Sequence, residues 1–116
     1  MDIINGLDEL DSFIINSQNK IILLYFGAIW CEPCKKLKNR LENEETKIEM
    51  PNLSLCYIDI DNQENAEIIS TYKIKLLPTL IYVNLDSTMN VKIISRIDGY
   101  DWIKIIMEYK NIKFEN

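Results

Sequence analysis

Ile21-Ile22-Leu23-Leu24-Tyr25-Phe26 leads, through three residues, into Trp30-Cys31-Glu32-Pro33-Cys34-Lys35. The apolar run is short and unbroken, the pattern of a strand covered on both faces. The segment that begins Lys35-Lys36-Leu37-Lys38 is charged and periodic, as an amphipathic helix is. A strand, a tight turn and a helix therefore follow one another, and the turn carries two of the three cysteines in the chain. Cysteines spaced C-x-x-C at such a junction read as a dithiol/disulfide redox site.

Pro33 holds its φ near the value a first helical turn needs. Cys31 then stands at or just before the helix N-terminus, where free N–H groups and the helix dipole favour an anion. A thiolate at Cys31 is stabilised, which makes it the candidate attacking sulfur; Cys34, one turn in, is the candidate resolving sulfur. Glu32 opposes this, because a neighbouring carboxylate disfavours the thiolate and makes the couple more reducing. Lys35 reads as part of a solvated face or as a second stabiliser of the thiolate, so Glu32, Pro33 and Lys35 are all candidate tuning residues. A structural disulfide is the bland alternative. Cysteine-only zinc needs four ligands and Cys56 adds at most a third, so no metal is expected. Cys56 itself lies in an apolar strand and reads as a buried, inert thiol.

The 116 residues are read as one domain, 1–116, with 47% apolar and 27% charged residues, enough for a core without staples. Net charge is −5, and Lys35, Lys36, Lys38 and Arg40 cluster only locally. That argues against a nucleic-acid or anionic-membrane surface. No apolar stretch is long enough for a membrane span, and neither end reads as a secretory or lipidation signal. With few cysteines, and an odd number, a reducing, cytoplasmic setting is expected. Histidine is absent. Cys-His and Ser-His catalysis and imidazole ligation of zinc are thereby excluded.

In order, residues 2–4 read as an edge strand and 7–17 as a helix with Leu7, Leu10, Phe13 and Ile14 inward. After the strand at 21–26, one helix is expected to bury Leu37, Leu41 and Ile48 and to stop at Pro51. Residues 53–60 are a second apolar strand, and 63–72 a helix through Ala66, Ile69 and Tyr72. A strand at 79–83, a turn at 84–90 and a strand at 91–97 follow. Gly99 precedes a terminal helix with Trp102, Ile103, Ile106 and Tyr109 on its inner face. Alternating βαβ units make the first part parallel and the final turn adds a hairpin. An α/β fold results, a mixed central β-sheet flanked by helices on both faces.

Four features together resemble the thioredoxin family over essentially the whole chain. They are Trp30-Cys31-x-Pro33-Cys34-Lys35 after a hydrophobic strand, Asp59-Ile60-Asp61 closing the next, Leu77-Pro78-Thr79 opening the strand after the third helix, and Gly99 after the last strand. The resemblance implies the thioredoxin fold, with Cys31 as nucleophile and Cys34 as resolving thiol. It also implies a cis peptide before Pro78, although the residues alone allow a trans turn equally. Trp30, Leu77, Pro78, Gly99 and Tyr100 would line a shallow substrate groove. Read without the family, Trp30 could equally be a core residue, and Asp98 and Tyr100 plain turn residues.

There are departures. Tyr25 stands where the family usually buries an aspartate behind the site, and Tyr57 where its lysine partner stands. Two phenols could at most relay protons through water, since a pKa near 10 makes neither a comparable base. Asn39 lies near the place of the usual helix-kinking proline, and Glu32 replaces a glycine. The implied activity is a protein-disulfide reductase, a monomer with no bound cofactor. It would act on disulfide-containing proteins and be regenerated by an enzyme of the thioredoxin-reductase type. A reading of a different class is a thioredoxin-fold binding module whose dithiol is vestigial.

Overall fold

A computed structural model describes residues 1–115, and side chains as far as residue 113. Ile21–Gly27 form one strand, β2, in which every residue is buried. Its partners explain why. It pairs in parallel with β3 (Leu53–Asp59) and antiparallel with β4 (Thr79–Leu85). The short β1 (Asp2–Ile4) lies outside β3, and β5 (Val91–Asp98) lies outside β4, giving the order β1-β3-β2-β4-β5.

Successive strand residues face opposite sides, so β2 feeds two cores. Leu23 and Tyr25 pack with Leu37, Leu41, Ile105, Tyr109 and Ile112, from α2 (Glu32–Leu41) and α5 (Trp102–Glu115). Leu24 and Phe26 pack with Leu10, Ile14, Ile68 and Tyr72, from α1 (Leu7–Asn16) and the end of α4 (Ala66–Thr71). This is the mixed sheet, covered on both faces, that the sequence predicts. The antiparallel part begins one strand before the last hairpin, however. The six residues of α4 rise only about 9 Å, whereas the seven of β3 run about 23 Å. The chain thus enters β4 near the end where it left β3, and β4 returns antiparallel to β2.

Three helix expectations need correction. The helix after Cys34 ends at Leu41, and a separate α3 (Glu44–Glu49) starts from Asn43, whose Oδ1 accepts the Glu45 N–H at 2.9 Å. The restart changes the phase, so Thr46 is buried and Ile48 is 80% exposed. In α5 Tyr109 is buried as expected, and the other buried positions are Ile105 and Ile112 rather than Ile103. Ile103 points to solvent, while Trp102 and Ile106 are half-buried. Residues 63–65 form a 3-10 turn before α4. That turn sends Asn65 inward and leaves Ala66 exposed.

Candidate active site

β2 ends at Gly27, and Ala28-Ile29-Trp30 carry the chain over to α2. Cys31 is the N-cap of α2, with extended backbone (φ −87°, ψ 111°), and its Sγ accepts the Cys34 N–H at 3.3 Å. That uses one of the N–H groups a helix start leaves free. Pro33 sits in the first turn, where its missing N–H is no loss. Cys31 and Cys34 are joined as a disulfide with their Cα atoms 5.2 Å apart. Cys31 is 6% exposed and Cys34 1%. Cys31 is the outer member of the pair.

Trp30 is not a core residue: it is 63% exposed, and its Nε1 donates to Asp61 Oδ2 at 2.7 Å. Glu32 and Lys35 form an exposed ion pair, 3.0 Å, so the Lys35 ammonium is turned to Glu32. The Leu77–Pro78 peptide is cis. Pro78 is buried, Leu77 half-buried, and Pro78 O accepts the N–H of Gly99 at 2.7 Å. Gly99 has φ +93°, a conformation L side chains rarely adopt. Trp30, Cys31 and Leu77 share an apolar cleft of about 470 Å³ with Ile60, Ile74 and Leu76. Gly99 and Tyr100 lie outside this cleft, and the Tyr100 hydroxyl instead accepts from Arg40 Nη1 at 3.4 Å. A larger cavity, about 840 Å³, opens among Ser17, Glu42, Met50 and Asn52 and touches neither active-site cysteine.

Behind the disulfide, Tyr25 is buried and its hydroxyl donates to Cys34 O at 2.9 Å. Its ring meets that of Tyr57, centroids 5.0 Å apart. Burial, with Tyr57 and Glu42 nearby, pushes the Tyr25 phenol well above its ordinary value. Burial, then Asp59 and Asp61, pushes Tyr57 up to about 12. Held neutral by burial, with its proton donated to a main-chain oxygen, the Tyr25 phenol is not a base for Cys34. Cys56 is fully buried, and burial raises its thiol pKa. Among the described residues no group of three or more His, Cys, Asp or Glu is placed to hold a metal ion.

Sequence reading missed several residues here. Asp61 was legible as the end of a strand but not as the partner of Trp30. Ile29 and Leu76, 77% and 53% exposed, flank the site as apolar surface. Ile29 precedes the motif directly, and an isoleucine in a turn was the available signal.

The thioredoxin family model matches residues 6–107. The chain belongs to the thioredoxin family. It is similar to monothiol glutaredoxin-4 of Saccharomyces cerevisiae, 34% identical over 89 residues, covering 77% of this chain and 35% of that one. It is similar also to a thioredoxin of Chlamydia pneumoniae, 38% identical over 74 residues, covering 64% of this chain and 66% of that one. The chain thus spans between about a third and two thirds of the length of these relatives. A solved thioredoxin structure from Trichomonas vaginalis superposes with a TM-score of 0.81 at 22% identity, covering 97% of this chain and 96% of that one. That match bears on the thioredoxin fold alone.

Proposed function

We propose that this chain is a thiol–disulfide oxidoreductase that reduces disulfides in other proteins. The observation that carries the reading is the Cys31–Cys34 disulfide at the first turn of α2, its outer sulfur-bearing residue opening on an apolar cleft. In the dithiol form, the helix N-terminus and the Cys34 N–H stabilise a thiolate on Cys31. That thiolate attacks one sulfur of the substrate disulfide. The S–S bond breaks, the other substrate sulfur leaves as a thiolate and takes a proton, and Cys31 holds a mixed disulfide. Cys34, after losing its proton, attacks the Cys31 sulfur. The second substrate thiol departs and the Cys31–Cys34 bond closes. Two electrons pass to the substrate, and a separate reductase returns two electrons and two protons.

Trp30 and Leu77 line the substrate-binding cleft beside Cys31, and Pro78, Gly99 and Tyr100, outside its lining, complete the groove only as the family resemblance implies. Glu32, Pro33 and Lys35 tune the couple. The chain works as a monomeric domain in the cytoplasm without a bound cofactor. Among the described residues no helix is long and apolar enough to cross a membrane.

The test is a trap. Cys34→Ser should accumulate substrate proteins as mixed disulfides on Cys31, releasable by dithiothreitol. If a reduced Cys34→Ser variant captures none, the reductase reading is lost. One observation favours a second reading. Tyr25, behind the pair, offers Cys34 no base, as expected of a binding module with a vestigial dithiol. In that case Cys31→Ser would leave partner binding intact.

A further inference from the structure

Arg96 on β5 spreads its guanidinium over three acceptors contributed by two elements. Nε donates to Asp98 Oδ1 at 3.1 Å, Nη1 to Tyr72 O, and Nη2 to Lys73 O at 2.9 Å. Tyr72 is the C-cap of α4 and Lys73 follows it, where carbonyls lack helical partners and a cation is favoured. Asp98 lies opposite Thr79 in the β4–β5 register. The Thr79 hydroxyl is 3.1 Å from Asp98 Oδ1 and 2.5 Å from Leu76 O. The one Thr79 proton can serve only one of these acceptors at a time, and the shorter contact is to Leu76 O; Asp98 is tied to Arg96 in either case.

The segment between those anchors is residues 74–78. Its Ile74, Leu76 and Leu77 form a wall of the cleft beside Cys31. Among the described residues, the N–H groups of Lys75, Leu76 and Leu77 make no main-chain hydrogen bond. The wall is thus held by carbonyls, those of Tyr72, Lys73, Leu76 and Pro78, with Ile74 the one residue of 74–77 whose N–H is bonded to the main chain. We propose that Arg96 and Asp98 are positioning residues for protein substrates: Asp98 orients the Arg96 guanidinium, which clamps the 72–73 end of the segment so that its cleft wall stands ready beside Cys31. The proposal rests on the reading that Cys31 and Cys34 reduce protein disulfides. Neither side chain touches the cysteines; they act through the backbone that Arg96 holds. Arginine suits the task because its planar fork serves several acceptors at once, which a lysine ammonium does not match.

The experiment compares the full chain with its Arg96→Met variant on insulin, with dithiothreitol as the reductant, and, after pre-reduction and removal of dithiothreitol, in a single turnover with the small disulfide dithionitrobenzoate. Circular dichroism confirms folding. The expected result is a KM for insulin raised about tenfold, the factor matching one charged hydrogen bond. The kcat, the rate with dithionitrobenzoate and the Cys31–Cys34 reduction potential should not move. Arg96→Lys should recover only part of the loss. If Arg96→Met does not fold, Asp98→Asn, which keeps the size of the side chain, carries the same test and should raise KM in the same direction. An unchanged KM in a folded variant overturns the proposal, as does an equal loss on both disulfides. A wild-type protein that reduces neither disulfide, or only the small one, fails at the earlier reading and takes this proposal with it.

Discussion

The hydroxyl of Tyr25 donates to the main-chain oxygen of Cys34 across 2.9 Å, with both residues buried. The sheet is thereby tied to the first turn of α2 directly beneath the disulfide. The same device recurs on this face of the sheet. Tyr82 donates to Ile105 O in α5 at 2.7 Å, and Tyr109 in turn donates to Pro51 O. Each phenol buries a ring in the core and spends its one proton on a carbonyl, so a large side chain is accommodated without an unsatisfied hydroxyl.

Tyr25→Phe removes that tie and little else. Stability should fall by about 0.5–1.5 kcal/mol, the usual net worth of one neutral hydrogen bond, read by urea unfolding at neutral pH. The pH dependence has a definite sign. The folded-state pKa of Tyr25 lies above its ordinary 10.0. The stability linked to its neutral form is therefore whole below that value. It is lost as pH rises through it, because the unfolded chain releases a proton the folded one keeps. The wild type should thus lose stability faster than Tyr25→Phe above pH 10, and the gap between them should narrow. A gap that widens there would mean that the phenol is not held neutral.

Gly27 exists for Tyr25. A Cβ on Gly27 would stand 2.9 Å from Tyr25 Cε1, 3.0 Å from its hydroxyl and 3.1 Å from Cζ. The phenol leans along the strand, over Gly27, to reach Cys34. Gly27→Ala should therefore destabilise by about 1–3 kcal/mol, as overpacking does. In the Tyr25→Leu background the ring is gone and the same change should cost much less. A double-mutant cycle measures the difference; strict additivity would refute the contact.

Much of this molecule is legible in its sequence because the signals are local. The unbroken 21–26 run and the cysteine pair beside it fix the central strand, the α2 start and the site. What stays hidden depends on partners far along the chain. Arg96 finds Tyr72 and Lys73, and Trp30 finds Asp61, across separations no periodicity encodes. Ile48 and Ile103 were misplaced for another reason. Helical spacing gives a face only once the helix start is known, and both starts are set by caps, at Asn43 and at Asp101, whose Oδ1 accepts the Lys104 N–H.

Asn65 is the plainest case of a hidden partner, and a stability test for it is direct. Its fully buried amide accepts the Gly6 N–H at 2.8 Å and donates to Ile4 O at 3.3 Å and Asp59 O at 3.0 Å. It joins β1, the start of α1 and the end of β3. Asn65→Ala leaves those three main-chain groups without it and opens a void, for a loss of about 2–4 kcal/mol. Asn65→Asp should be worse, since carboxylate oxygens would face two carbonyl oxygens. Denaturant midpoints order the three proteins. An Asp variant as stable as the wild type would show that the amide donors are not needed.

Glu32 offers the sharpest reading of the redox couple itself. Its carboxylate lies 3.0 Å from the Lys35 ammonium, both side chains well exposed, so the charge beside Cys31 is partly balanced. Glu32→Gln removes a negative charge and leaves Lys35 unpaired. Both changes favour a thiolate on Cys31, which stabilises the dithiol and makes the couple less reducing. Lys35→Gln does the reverse. Exposed charges are screened, so each shift should stay within about 30 mV, or roughly 1.4 kcal/mol for two electrons. The wild-type value is expected near the −270 mV or so that marks thioredoxin itself. Equilibration against dithiothreitol buffers, followed by Trp30 and Trp102 fluorescence and by thiol alkylation, gives all three potentials. Opposite shifts for the two variants establish that the pair tunes Cys31 through charge. Shifts of the same sign would assign the effect to the backbone of the first helical turn instead.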